Sequence, residues 1–216
     1  MIEVKDNLNV KLEEVRILYA LIEQVSSEPL NIAKTTILKS SLVLLLYNII
    51  EGTVYLVLEK IHENISSVSY NTMSDRVKKI YAEYYFAFSS KNTHKDHLDK
   101  TINNAINFPS LLDYKRNIKL FSGNHDVCKI REICKKYGIC SPKITKTESE
   151  KILYIKDRRN RLAHGEISFK EACRELSASE LSMLIDSTFN CMHELTNNAA
   201  DYLSKKQYIG TSHDPL

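Results

Sequence analysis

The stretch LVLLLYNIIEGTVYLVL, Leu42 to Leu58, decides the fold of this 216-residue chain. It is apolar around nearly the whole helical circumference, with Asn48 and Glu51 set inside it. A run of this kind is either a membrane span or the central helix of a packed domain. It is marginally short for a hydrocarbon layer about 30 Å thick. An ionised glutamate at mid-bilayer is also expensive. The reading is therefore a core helix, running from about Ile32 to Ile65, with the rest of the chain packed around it and no contact with a membrane.

Working outward, the scarcity of turn residues sets the class. Only 5 Gly and 4 Pro are present. Few turns imply long elements, and no segment alternates convincingly enough to be a strand, so the expectation is an all-α, single-domain helical bundle. A first helix is expected through VKLEEVRILYALIEQV (Val10 to Val25), ending before Pro29. A third covers SDRVKKIYAEYYFAF, capped by Thr72 or Ser74. The polar stretch SSKNTHKDHLDK then loops before a short helix near Leu98 to Asn107, and Pro109 and FSGN (Phe121 to Asn124) read as an irregular linker. Asp126 caps a helix through KIREICKKY that Gly138 closes in the left-handed conformation. Three Ser/Thr-x-x-Glu patterns, Thr147 with Glu150, Ser168 with Glu171 and Ser177 with Glu180, predict helices at 148–163, 169–176 and 178–205. The domain is placed at residues 1–209, with 210–216 as a flexible C-terminal tail.

The formal net charge of +3 accommodates a nucleic-acid partner without requiring one. Five cysteines (Cys128, Cys134, Cys140, Cys173, Cys191) are odd in number and lack the spacing of a zinc site, which points to a reducing cytoplasm. The opening residues MIEVKDNLNVKLEEV are too polar for a signal peptide.

The chemistry concentrates in ESEKILYIKDRRNRLAHG, Glu148 to Gly165. Ile152, Ile155, Leu162 and Ala163 form its apolar stripe, and Arg159 falls inside that stripe. A guanidinium keeps its charge, so on such a face it needs a partner anion or a bound one. Asn160 and His164, four apart, share the adjoining flank, while Arg161 is expected to pair with Asp157. An arginine, an amide and a helix-end histidine suit phosphodiester chemistry. The imidazole moves protons near neutrality, the guanidinium clamps a phosphate at two points, and the amide orients the imidazole or a ribose hydroxyl. The competing account is an arginine that bridges helices and a histidine that answers the helix dipole. Two readings of Glu51 stand open: a partner for Arg159, or an outward carboxylate paired with Lys60 or another surface lysine.

RNRLAHG resembles the signature of the HEPN superfamily: arginine, a polar residue, three residues, histidine. SSLVLLLYNIIEGTV, FSGNHDVCKIREICKKYG and KDRRNRLAHGEISFKEACREL are similar, in the same order, to blocks of a small prokaryotic HEPN family of defence and toxin-like systems. The resemblance covers about Ser40 to Leu176. It implies a HEPN-type bundle that forms a homodimer, with a composite, metal-independent site that cleaves single-stranded RNA and needs no cofactor. Arg159 and His164 would be the catalytic pair and Asn160 the polar second position. An antitoxin or defence-system protein would be the partner. A HEPN module that binds a protein or nucleotide without cutting is the alternative.

Other clusters carry less. His94 and His97 with Asp96 and Asp99 lack a third ligand at metal spacing. Tyr81, Tyr84, Tyr85, Phe86 and Phe88 read as core or dimer contacts rather than a base-stacking platform. Cys128, Cys134 and Cys140 read as buried thiols.

Overall fold

The computed structural model describes residues 1–28, 31–86, 99, 108–118 and 125–210. Seven α-helices lie among them: α1 Ile2–Ser26, α2 Ile32–Ile65, α3 Asp75–Phe86, α4 Leu111–Asn117, α5 Val127–Tyr137, α6 Lys146–Ala163 and α7 Ala178–Ser204. No strand occurs among the described residues, only an isolated antiparallel bridge between Met73 and Ile209. The fold is all-α, as the sparse turn residues required.

Helix α2 is the hub. It packs against α1, α6, α7 and the short α4, while α3 packs on α5, α5 on α6, and α6 on α7. By length and composition α2 could cross a bilayer. Here its apolar side chains, among them Leu42, Val43, Leu46, Tyr47, Ile50, Val54, Val57, Leu58 and Ile61, are buried against those helices. Full burial of one such aliphatic side chain contributes about 1.5–3 kcal/mol, so this one helix organises much of the core. The Ile152 and Ile155 face of α6 is buried, and Leu162 packs partly against the core beside it.

Helix α1 begins eight residues before the expected Val10, at Ile2. Val4 and Leu8 are buried in register with Val15 and Ile22, and Glu3 pairs with Lys60 of α2 at 2.8 Å. Helix α4 forms where a linker was expected. Ser110 accepts a hydrogen bond from the Asp113 N–H at 3.1 Å, and Leu111 and Tyr114 are buried. Helix α6 starts two residues early because the capping box is Thr145 with Glu148, not Thr147 with Glu150. Asn190 of α7 also donates to Glu148 at 3.1 Å, fixing that choice through a tertiary contact.

The expected helix 169–176 is instead a series of turns. Ser168 donates to the Glu171 carboxylate from both its N–H and its hydroxyl. The Glu171 N–H, however, goes to the Ser168 carbonyl at 3.0 Å instead of the hydroxyl, so the box is only half made, and the chain continues through 3₁₀-type links such as Arg174 N–H to the Glu171 carbonyl. Ser40 donates to the Phe169 carbonyl and Lys39 to the Leu176 carbonyl, holding the segment on α2 so that Ala172, Cys173 and Leu176 are buried. Helix α5 (Asp126 cap, Gly138 at φ 83°) and α7 (Ser177–Glu180 box) follow the sequence signals. The short helix near Leu98–Asn107, apart from Asp99, the FSGN linker and residues 211–216 of the expected 210–216 tail lie outside the described residues, while the Gly210 N–H of that tail donates to the Thr72 carbonyl at 2.9 Å.

Candidate functional site

Helix α6 delivers the motif at its C-terminal end. The His164 N–H donates to the Asn160 carbonyl at 3.0 Å, closing the last turn. Gly165 then takes φ 70°, which costs a glycine nothing, and the N–H of Glu166 reaches back to the Arg161 carbonyl at 2.9 Å. This stop leaves the His164 imidazole exposed, and among the described residues it makes no hydrogen bond or ion pair.

Arg159 is held differently. Its guanidinium lies 4.7 Å from the centroid of the Tyr47 ring, and Nη1 donates to the Asn160 Oδ1 at 3.1 Å. A cation over an aromatic face is stabilised by the ring quadrupole, from about 0.5 kcal/mol when exposed to about 2 when desolvated. Tyr47 is wholly buried in α2, and its hydroxyl accepts from the His125 backbone N–H at 3.3 Å. Asn160 therefore links the two ends of the motif, its amide oxygen to Arg159 and its carbonyl to the backbone of His164.

Glu51 settles against His125, with Oε1 3.9 Å from Nδ1, and its side chain is 38% exposed. It pairs with neither Arg159 nor Lys60, which instead holds Glu3 and Glu63. One turn along α2, Tyr47 already occupies the position under the guanidinium. Burial pushes the Tyr47 phenol above its ordinary pKa, and Glu51 pushes the same way against the His125 N–H, Arg159 and Lys156. It also pushes the His125 imidazole down, with Glu51 opposing that effect.

The charged residues around the motif fasten α6 in place. Lys156 pairs with Asp126 at 2.9 Å, both largely shielded from solvent, and so joins α6 to the start of α5. Arg158 binds Glu175 at 2.6 Å while lying over Tyr154, whose hydroxyl donates to the same carboxylate. Arg161 pairs with Glu166 at 3.7 Å rather than with Asp157, because the chain reversal at Gly165 brings Glu166 back along the helix. Of four consecutive basic or amide positions, 158 to 161, only Arg159 and Asn160 address the ring of Tyr47 and the helix end.

Tyr81 is buried and stacks near Tyr70 and Tyr85, whereas Phe86 is exposed. Of the three thiols expected inside, Cys134 is buried and pushed up to about 12, but Cys128 and Cys140 are exposed. His94, Asp96, His97 and Phe88 lie outside the described residues, and Asp99 is exposed. Among the described residues no three His, Cys, Asp or Glu side chains are grouped to hold a metal ion.

Residues 3–208 match the family model described as MAE_28990-like HEPN. No curated protein and no solved structure matches the chain.

Proposed function

The chain belongs to the HEPN superfamily, and from that premise we propose that it is a metal-independent endoribonuclease whose active site is shared by two copies of the chain. The observation that carries the proposal is the division of labour on α6. Arg159 is held over Tyr47 and against Asn160, while His164 stands exposed one turn beyond. A fixed cation and an exposed imidazole are what in-line attack on a phosphodiester requires.

In that reaction the substrate's own 2′-hydroxyl attacks the adjacent phosphorus. A P–O2′ bond forms, the P–O5′ bond breaks, and the products are a 2′,3′-cyclic phosphate and a 5′-hydroxyl. One proton leaves the 2′-oxygen and one is delivered to the 5′-oxygen, so a base and an acid are both used. A single chain offers one His164. A two-fold dimer offers two, with two arginines to carry the charge that develops on phosphorus. Leu153, seven residues before Asn160 and thus on its face of α6, is an exposed apolar side chain, as is Phe169 just beyond the motif. Both supply contact surface for such a dimer beside the site.

The substrate is single-stranded RNA, and the setting is a cytoplasmic toxin or antiviral effector restrained by an antitoxin or defence partner. The test is incubation of the full chain with mixed cellular RNA in a metal chelator, beside His164→Ala, with molar mass measured on both. Cleavage by a dimer that is lost in the variant supports the proposal. A dimer that binds RNA or protein and never cuts makes the chain a binding module, and a monomer at micromolar concentration contradicts the shared site.

A further inference from the structure

Away from the motif, two neighbouring surface cavities of about 640 and 540 Å³ meet where α3, the end of α5 and the segment after α7 converge. Arg76 and Lys79 project from α3, Lys135 and Lys136 from the last turn of α5, and Lys205 and Lys206 from the chain leaving α7. Among the described residues, Asp75, Glu83 and Glu132 are the only carboxylates lining them. Six cations against three carboxylates leave an excess of three, equal to the +3 of the entire chain.

Most of that charge is available. Glu83 is engaged by Lys136 at 2.5 Å and by the Tyr114 hydroxyl, and Glu132 by Lys129 at 2.9 Å. Lys205 pairs with Asp201 on the exposed surface. Arg76, Lys79, Lys135 and Lys206 form no ion pair among the described residues. The rim is fixed to the fold: the Ser74 N–H donates to the Tyr208 carbonyl at 2.8 Å and the Gly210 N–H to the Thr72 carbonyl at 2.9 Å. Lys206 sits in the left-handed region at φ 48°, where glycine would be unstrained, and it carries a cationic side chain into the cleft instead.

We infer that this cleft is a second binding site, one that holds the phosphate backbone of a single-stranded RNA away from the scissile bond; the inference rests on the ribonuclease reading. The cleft is open, its cations are five lysines and one arginine, and no exposed aromatic ring lines it among the described residues, which fits sequence-independent contact with phosphates rather than recognition of a base. It is also remote from the motif. Asp126, joined to α6 through Lys156, and Lys135, the cleft cation nearest to it along α5, are separated by about 14 Å at 1.5 Å per residue. At roughly 3.4 Å per stacked nucleotide that is about four nucleotides, so a dinucleotide cannot engage both places.

The test compares the full chain with the triple variant Lys79→Gln, Lys205→Gln, Lys206→Gly, in which the glycine relieves the left-handed strain and preserves the fold. The probe is a 2′-O-methyl single-stranded RNA of about 30 nucleotides, read by fluorescence anisotropy over a salt series, together with cleavage of a dinucleotide. Three lost phosphate contacts make the log–log salt slope shallower by about two and weaken binding at least about tenfold at low salt. Dinucleotide cleavage stays at the parent rate. Unchanged affinity and slope overturn the inference, as does a parallel loss of dinucleotide cleavage. A parent that cuts nothing, with binding still lost in the variant, overturns the ribonuclease reading and leaves the cleft as an RNA site.

Discussion

His62 makes the stability of this protein depend on pH in a direction and amount that can be worked out. Its ring is almost completely buried at the end of α2, packed against Phe108, Tyr114 and Tyr137 at centroid distances of 4.9, 5.5 and 5.7 Å. Nδ1 lies 2.8 Å from the Pro109 carbonyl, which only accepts, so Nδ1 carries the proton. Nε2, 2.8 Å from the Tyr137 hydroxyl, then accepts from it. Burial pushes the imidazole down from 6.5 to about 4, against the opposing pull of the Pro109 carbonyl. Between those values the unfolded chain takes up a proton that the folded chain refuses, so stability rises with pH there and is lost as pH falls from about 6.5 to 4. At 1.36 kcal/mol per pH unit the loss is about 3 kcal/mol. Replacement by glutamine, His62→Gln, removes the titration at a cost of about 1–3 kcal/mol at pH 7 for the buried bonds it disturbs. Urea unfolding of both proteins at pH 7, 5.5 and 4.5 measures the gap between them. The difference, parent minus variant, moves by about 2–3 kcal/mol in the variant's favour as pH falls, enough to close or reverse it, while His125 and the carboxylates titrate equally in both and cancel. A constant gap refutes the reasoning.

Three further outcomes follow from the site and the cleft. Arg159→Lys keeps a positive charge near Tyr47 but loses the two-pronged phosphate contact, so RNA cleavage falls about a hundredfold or more in single-turnover assays while the fold is retained. Tyr47→Phe keeps the ring under Arg159 and removes the acceptor of the His125 N–H, costing about 1–3 kcal/mol in chemical denaturation with cleavage little changed at low temperature. Gly138→Ala forces a Cβ to φ 83° and to 3.0 Å from Arg76 Nη1, costing about 1–2 kcal/mol and lowering Tm by a few degrees.

The parts of the fold that were legible in sequence are those governed by local chemistry. The span of α2 follows from its apolar run, α5 from Asp126 and Gly138, and α7 from Ser177 and Glu180. The misreadings arise where a distant residue decides. Thr145 and Thr147 both precede a glutamate by three, and Asn190 favours the first. Ser168 and Glu171 satisfy a helix-start pattern, yet Ser40 and Lys39 pull the following carbonyls onto α2. Helix α4 was available to local reading and missed, through Ser110, Leu111 and Tyr114, as was the first part of α1, where Val4 and Leu8 stand four apart. At the site, Arg159, Asn160 and His164 were visible because they are neighbours in sequence. Tyr47, His125 and Asp126 were not, since no spacing rule relates α2 and the start of α5 to a motif more than thirty residues away.

The most direct measurement of the central claim is the identity of the ends made from one defined single-stranded RNA in the presence of a metal chelator, beside the same oligonucleotide with 2′-deoxyribose throughout. The account predicts a 2′,3′-cyclic phosphate and a 5′-hydroxyl from the RNA, an intact deoxy strand, and no product of either kind from His164→Ala. A 3′-hydroxyl with a 5′-phosphate, cutting of the deoxy strand, or full cleavage by His164→Ala contradicts it.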